Sequence, residues 1–263
     1  MGIKEKNQEK ILRMLRYHGS LSANTVMKSL QLSEASVRRY FAEMEHSGLV
    51  LRYHGGIRML TDKNQSGYHF NDAASAFADS KHLIGIAAAR RISSHDRLFF
   101  DSGTTVLECG AALAERVAEN KLNDLCIVTN SMAFASRFTS FCPIILTGGM
   151  IRSARMDLCG SVALETVRRY NFTKAFLGTD GISDQGILST TDEDTSNLAS
   201  ALLEHSSEVF ILADSSKLGK LSFVPYGSLT DNKITLITDR MADRTIIQRF
   251  TESGIKIIFA DEE

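Results

Sequence analysis

Seven short apolar runs dominate residues 97–259: Arg97-Leu98-Phe99-Phe100, Leu125-Cys126-Ile127-Val128, Pro143-Ile144-Ile145-Leu146, Lys174-Ala175-Phe176-Leu177, Val209-Phe210-Ile211-Leu212, Ile234-Thr235-Leu236-Ile237 and Lys256-Ile257-Ile258-Phe259. They do not alternate apolar with polar, so each strand has to be buried on both faces. Helical stretches fall between several of them, at about residues 82–92, 105–120 and 131–138. Strand and helix in alternation predict an α/β domain with a parallel sheet covered by helices. In such sheets ligands bind beyond the carboxyl ends of the strands.

Polar loops stand at those ends. Asp101-Ser102-Gly103-Thr104-Thr105 follows the first run, Thr129-Asn130-Ser131 the second, and Gly148-Gly149 the third, with Arg152 just after. Gly178-Thr179-Asp180-Gly181 follows the fourth and Asp214-Ser215-Ser216-Lys217 the fifth. Each loop alone reads as a cap or a turn, but five in one domain point to a ligand site. Gly103, Thr104 and Thr105 open a helix and present N–H groups and hydroxyls to an oxyanion. Asp101, Asn130 and Asp180 can accept polyol hydroxyls, and Lys217 can neutralise a phosphate. The candidate ligand is a phosphorylated sugar or polyol, with Gly148, Gly149 and Arg152 as further contacts. There is no P-loop, dinucleotide-binding fingerprint or nucleophile elbow.

The first sixty residues have a different character. They carry ten Lys/Arg against five Asp/Glu, a charge of +5 that leaves −6 on the rest of a chain whose net is −1. A basic head on an acidic body suggests a polyanionic partner. The spacing of Ile11, Leu12 and Leu15 predicts a helix over about 4–18, ended by Gly19. Ser20 and Ser22 can cap a second helix at 23–30, and Ser33 a third that runs to about 47. Two short strands, 49–53 and 57–60, flank the turn His54-Gly55-Gly56.

That layout predicts a winged helix-turn-helix. On the third helix Val37, Phe41 and Met44 share one face with Tyr40 beside them, while Ala35, Arg39, Ala42 and His46 lie opposite, flanked by Ser36 and Arg38. Small alanines allow close approach to a groove, and arginine can fork onto guanine or phosphate. We expect Ser33, Ala35, Ser36 and Arg39 near base edges or the helix start. Arg38, Arg52, His54 and Arg58 are expected on the DNA backbone.

The expected domains are a DNA-binding head at 3–58 with its helix-turn-helix at about 20–39, a polar linker at 59–80 whose second half is expected to be partly helical, and an effector domain at 81–263. The longest uncharged run, Phe138 to Ile151, has 14 residues and contains Pro143, Gly148 and Gly149, whereas a membrane-spanning helix needs about 20 apolar ones. The first residues are charged rather than a signal core, so a cytoplasmic protein is expected. Four cysteines form no Cys-x-x-Cys pair, and reduced thiols with no metal or cofactor are expected.

Ser33-Glu34-Ala35-Ser36-Val37-Arg38-Arg39, Glu45-His46-Ser47-Gly48-Leu49 and Arg52-Tyr53-His54-Gly55-Gly56 resemble the signature of the DeoR-type family of bacterial sugar-responsive transcriptional regulators. So do Lys81, Asp101 to Thr105, Thr129-Asn130-Ser131, Gly148-Gly149, Gly160, Asp180-Gly181, Asp214 to Gly219 and Thr238-Asp239. The resemblance spans about residues 3–260. It departs at Tyr40, where the family usually has an acidic residue. It implies a homo-oligomer, dimer or tetramer, usually a repressor, that binds double-stranded operator DNA and answers to a phosphorylated sugar. It also implies an effector domain related to ribose-5-phosphate isomerase. That kinship makes a sugar-phosphate isomerase the rival reading, with Asp101, Asp180, Glu193 or Lys217 supplying the base. A fused DNA-binding head argues for a regulator without catalytic residues. A third reading, regulation through protein contacts alone, leaves the polar loops unexplained.

Overall fold

A computed structural model describes residues 3–18, 20–53, 55–59 and 70–260. The chain divides into two units, residues 1–67 and 68–263.

The first unit runs α1 (Ile3–His18), β1 (Ser20–Ser22), α2 (Ala23–Leu30), α3 (Glu34–His46), β2 (Val50–Tyr53) and β3 (Gly56–Met59). Local chemistry sets the helix starts. The Ser22 hydroxyl accepts from Thr25 N and the Ser33 hydroxyl from Ser36 N, which satisfies N–H groups that a helix start leaves without partners. Gln31 takes the left-handed conformation, φ 51°, and closes the turn between α2 and α3. Ile11, Leu15, Val26, Val37, Phe41, Met44, Val50 and Ile57 form the core. Ser20–Ser22, expected to act in capping, also forms a strand, because β3 accepts it in the order β1-β3-β2.

The second unit opens with α4 (Phe70–Ser75) and α5 (Ala78–Ala89). Residues 70–80, the second half of the linker and expected to be partly helical, are largely helical, and Phe70 is buried in the core of this unit. The chain continues through β4 (Arg97–Phe100), α6 (Thr104–Ala118), β5 (Cys126–Thr129), α7 (Met132–Phe138), β6 (Ile144–Leu146), β7 (Met150–Arg152), β8 (Asp157–Cys159), α8 (Ser161–Arg168) and β9 (Phe172–Leu177). It then forms β10 (Gly181–Ile182), β11 (Ile187–Thr190), α9 (Glu193–Glu204), β12 (Ser206–Leu212), β13 (Val224–Ser228), β14 (Ile234–Thr238), α10 (Arg244–Glu252) and β15 (Lys256–Phe259).

The seven apolar runs form one parallel sheet in the order β15-β14-β12-β9-β4-β5-β6. Alternate residues feed separate cores on its two faces. Phe134, Phe100, Phe176 and Phe210 stack in a row on one face, with centroids 4.6, 5.1 and 5.2 Å apart. Phe99, Val128, Leu177, Ile211 and Leu236 pack on the other with α8, α9 and α10. From β4 the chain winds first one way, through β5 and β6, then the other, through β9, β12, β14 and β15. The strand order thus reverses between β4 and β9, where a crevice opens beyond the strand ends. The hairpin β7–β8 and the small antiparallel sheet β10-β11-β13 were not foreseen. Their two- to five-residue strands carry no periodicity long enough to read.

Candidate effector cleft and nucleic-acid interface

The crevice at the β4/β9 reversal is a cleft lined by six of the ten predicted effector residues: Asp101, Gly103, Thr104, Thr105, Asp180 and Lys217. Asp101 ties its two walls together. Oδ1 accepts from Ser102 N at 2.6 Å, and Oδ2 accepts from Gly178 N across the reversal at 3.1 Å. Burial pushes its carboxyl above the ordinary range and Asp157 acts the same way, against the N–H donors and Arg155. Gly103 caps α6 with no side-chain acceptor, so the first-turn N–H groups remain available to an anion. A Cβ on Gly103 would approach the Gly178 backbone to 3.3 Å, and glycine keeps that contact open. Asp180 Oδ2 accepts from Thr190 Oγ1 at 3.0 Å and Thr191 N at 3.1 Å.

Two cations lining the cleft were not among the predicted contacts. Lys81, at 6% exposure, donates from Nζ to the carbonyls of Ala73 and Ala76 near the end of α4. Burial lowers its pKa; Asp214 opposes that shift and Lys217 adds to it. Lys81 stands among the motif residues of the resemblance, just before the helix expected at 82–92, but its carbonyl partners lie at and just beyond the end of α4, in the stretch expected as linker. Arg155 reaches Asp180 at 3.6 Å and Asp192 at 3.4 Å. It follows the unforeseen hairpin strand β7, and no sequence signal marks it. Tyr226 closes one wall with its hydroxyl on Gly178 O at 3.3 Å, and burial pushes its phenol above the ordinary range.

Four predicted contacts lie elsewhere. Asn130, 2% exposed, donates to Leu158 O at 3.3 Å and holds β8 against the sheet. Gly148 and Gly149 take φ of +74° and +116° in the turn into β7, where a Cβ on Gly149 would stand 2.5 Å from Cys159 O. They serve a tight turn that other residues cannot make. Arg152 faces inward. It grips Asp157 through Nε at 2.9 Å and Nη2 at 2.6 Å, and reaches Asp192 through Nη1 at 2.8 Å.

In the head, α3 buries Val37, Tyr40, Phe41 and Met44. Ala35, Arg38, Arg39, Ala42 and His46 are exposed on the other side, with Ser36 half-buried. Arg38 pairs with Glu34 at 2.5 Å, and Arg39 lies over the Tyr40 ring at 5.8 Å. Tyr40 thus supports an arginine by cation–π contact. Arg52 pairs with Glu45 at 3.7 Å. Such exposed pairs are worth about 0–1 kcal/mol, so a DNA phosphate can displace them. His54 and the side chain of Arg58 lie outside the described residues.

Residues 8–63 match the family model of the DeoR-like helix-turn-helix domain, and residues 76–240, more than half of the chain, that of the DeoR C terminal sensor domain. The chain belongs to the DeoR family of transcriptional regulators. It is 28% identical to the HTH-type transcriptional repressor GlcR of Bacillus subtilis over 255 residues, 96% of this chain and 95% of that protein. It is 26% identical to the glycerol-3-phosphate regulon repressor of Escherichia coli over 251 residues, 94% of this chain and 95% of that protein. Among solved structures, ribose 5-phosphate isomerase A of Methanocaldococcus jannaschii aligns at a TM-score of 0.42 and 17% identity, over 55% of this chain and 56% of that one.

This DeoR-family protein is therefore a DNA-binding regulator with a helix-turn-helix head and a sensor domain, and its relatives are named regulators and repressors rather than enzymes. No helix among its described residues is long and apolar enough to cross a membrane.

Proposed function

We propose that this chain is a cytoplasmic repressor of a carbohydrate-utilisation operon. It binds operator DNA as a homo-oligomer and responds to a phosphorylated sugar or polyol held in the sensor cleft. One observation carries the reading: the uncapped start of α6, the Thr104 and Thr105 hydroxyls, and the ammonium groups of Lys81 and Lys217 line the same cleft. N–H groups, hydroxyls and cations are the complement of a phosphate. Asp101 and Asp180 offer carboxylate oxygens to sugar hydroxyls. In the head, Ser33, Ala35, Ser36 and Arg39 face base edges, and Arg38, Arg52, His54 and Arg58 hold phosphates. The relatives named above include a repressor of a glycerol-3-phosphate regulon.

The test is a melting screen of the full chain against sugar phosphates, followed by operator binding under effector titration. A ligand at 100 times its dissociation constant stabilises by about 2.7 kcal/mol. Thr105→Val removes a hydroxyl and Lys217→Ala a charge, and both variants should bind operator normally yet respond poorly to the effector. Parental response in both variants would put the phosphate elsewhere.

A further inference from the structure

Phe77 joins α4 to α5 in the left-handed conformation, φ 54° and ψ 37°. Among the described residues, those other than glycine with positive φ are Gln31, Phe77, His95, Asn120, Asp124 and Met156. Phe77 is the one of these that lines the sensor cleft. A Cβ crowds the backbone in this conformation, so the position favours glycine or asparagine. Phenylalanine serves no local purpose in return. It stands at the N-cap of α5 without a side-chain capping bond, and at 56% exposure its ring adds little to the core. A strained residue that neither caps nor packs points to function. We propose that the Phe77 ring lies against the carbon face of the bound sugar phosphate and helps to select it. The inference rests on the effector reading above and adds a contact to that same cleft.

A phosphorylated sugar presents a phosphate, hydroxyls, and the C–H surface between them. The start of α6, Lys81 and Lys217 answer the phosphate, and Asp180 answers the hydroxyls. The C–H surface calls for an apolar or aromatic partner, as ligand pockets commonly provide. Leu198 and Leu202 also line the cleft, but at 5% and 1% exposure they belong to its floor. Lys81 stands one helical turn beyond Phe77, its N–H on Phe77 O at 3.0 Å, and is only 6% exposed. Phe77 is therefore nearer the opening, where its ring covers a sugar whose phosphate lies deeper, at Lys81. The charge distribution of the ring agrees. Its face is negative, which suits C–H groups polarised by their oxygens and repels the phosphate itself. Lys81 Nζ also holds the carbonyls of Ala73 and Ala76, just before Phe77, and so fixes the elbow that carries the ring.

Calorimetric titration of the full chain with ribose 5-phosphate, fructose 1-phosphate, glucose 6-phosphate and glycerol 3-phosphate tests this, the tightest binder serving as probe. Phe77→Gly and Phe77→Asn should each raise the dissociation constant of the probe at least about tenfold. Without the probe both variants should melt at or above the parental temperature, because the left-handed backbone is relieved of its Cβ strain or suits the new side chain. Phe77→Tyr keeps the ring and should bind within about threefold of the parent. Weaker binding at equal or greater stability is a combination that a purely structural residue does not give. Parental affinity in both ringless variants, a melt more than about 2 °C below the parent in both, or a Phe77→Tyr loss as large as that of Phe77→Gly would overturn the proposal. A parent that binds none of the panel would overturn the effector reading and this inference with it. A parent that binds the probe no better than Phe77→Gly and Phe77→Asn would overturn this inference alone.

Discussion

Replacing Arg152 by Met separates an internal ion pair from a ligand contact. Asp157 is 1% exposed and receives two hydrogen bonds from the Arg152 guanidinium. Without them it keeps Ser102 Oγ at 3.2 Å and Arg155 Nε at 3.9 Å. Removing one partner of a buried pair costs about 3–5 kcal/mol, since the other charge stays buried. The Asp192 carboxylate is 33% exposed, so that second arm adds at most about 1 kcal/mol after solvent screening. Methionine retains the apolar stem, which limits the packing loss. In a unit of roughly 200 residues each kcal/mol moves Tm by about 2–4 °C, so a fall of about 6–24 °C is expected. Adding Asp157→Asn should recover part of the loss, because the two sites are coupled. The assay is a thermal melt of the full chain, with operator binding measured well below the transition to verify the head. A melt within about 2 °C of the parent, together with a lost effector response, would refute this reasoning and return Arg152 to the ligand.

Arg39→Ala should cost about 1–3 kcal/mol of operator affinity and relax base preference, whereas Arg38→Ala should weaken all sequences evenly and lower the salt slope by about one; gel shifts over a salt series distinguish them. Lys174 holds Asp96 at 2.7 Å and, with the Ser93 N–H and the Thr173 hydroxyl, keeps that carboxyl below its ordinary 3.8 despite burial. A depressed carboxylate contributes stability above its unfolded pKa and loses it as pH falls through the folded one. Lys174→Met should therefore cost about 1–3 kcal/mol at neutral pH and far less in strong acid, as read from denaturant midpoints across pH. Gly149→Ala should cost about 1–3 kcal/mol through its positive φ and the 2.5 Å approach to Cys159 O, measured by urea unfolding.

The sequence by itself determined the strands of the main sheet and the helices and hairpin of the head. A strand buried on both faces must be apolar throughout, so all seven strands of the parallel sheet stood out as continuous runs. Helix caps act over three residues, so Ser22 and Ser33 marked the starts of α2 and α3. Strand order is not local, and only the tertiary structure decided it. Asp101 meets Gly178, 77 positions away, because β4 and β9 are neighbours at the reversal. The second half of the linker reads as partly helical, but the sequence does not show that its helix α4 packs on the sensor domain, where Phe70 is buried. Arg152 looked like a phosphate ligand because a charged residue after a strand and a Gly-Gly turn suggests one. Its position on β7 gives it Asp192, 40 positions on. A charge partner that distant leaves no pattern in the sequence, and folding alone decides whether an arginine faces a ligand or a buried acid.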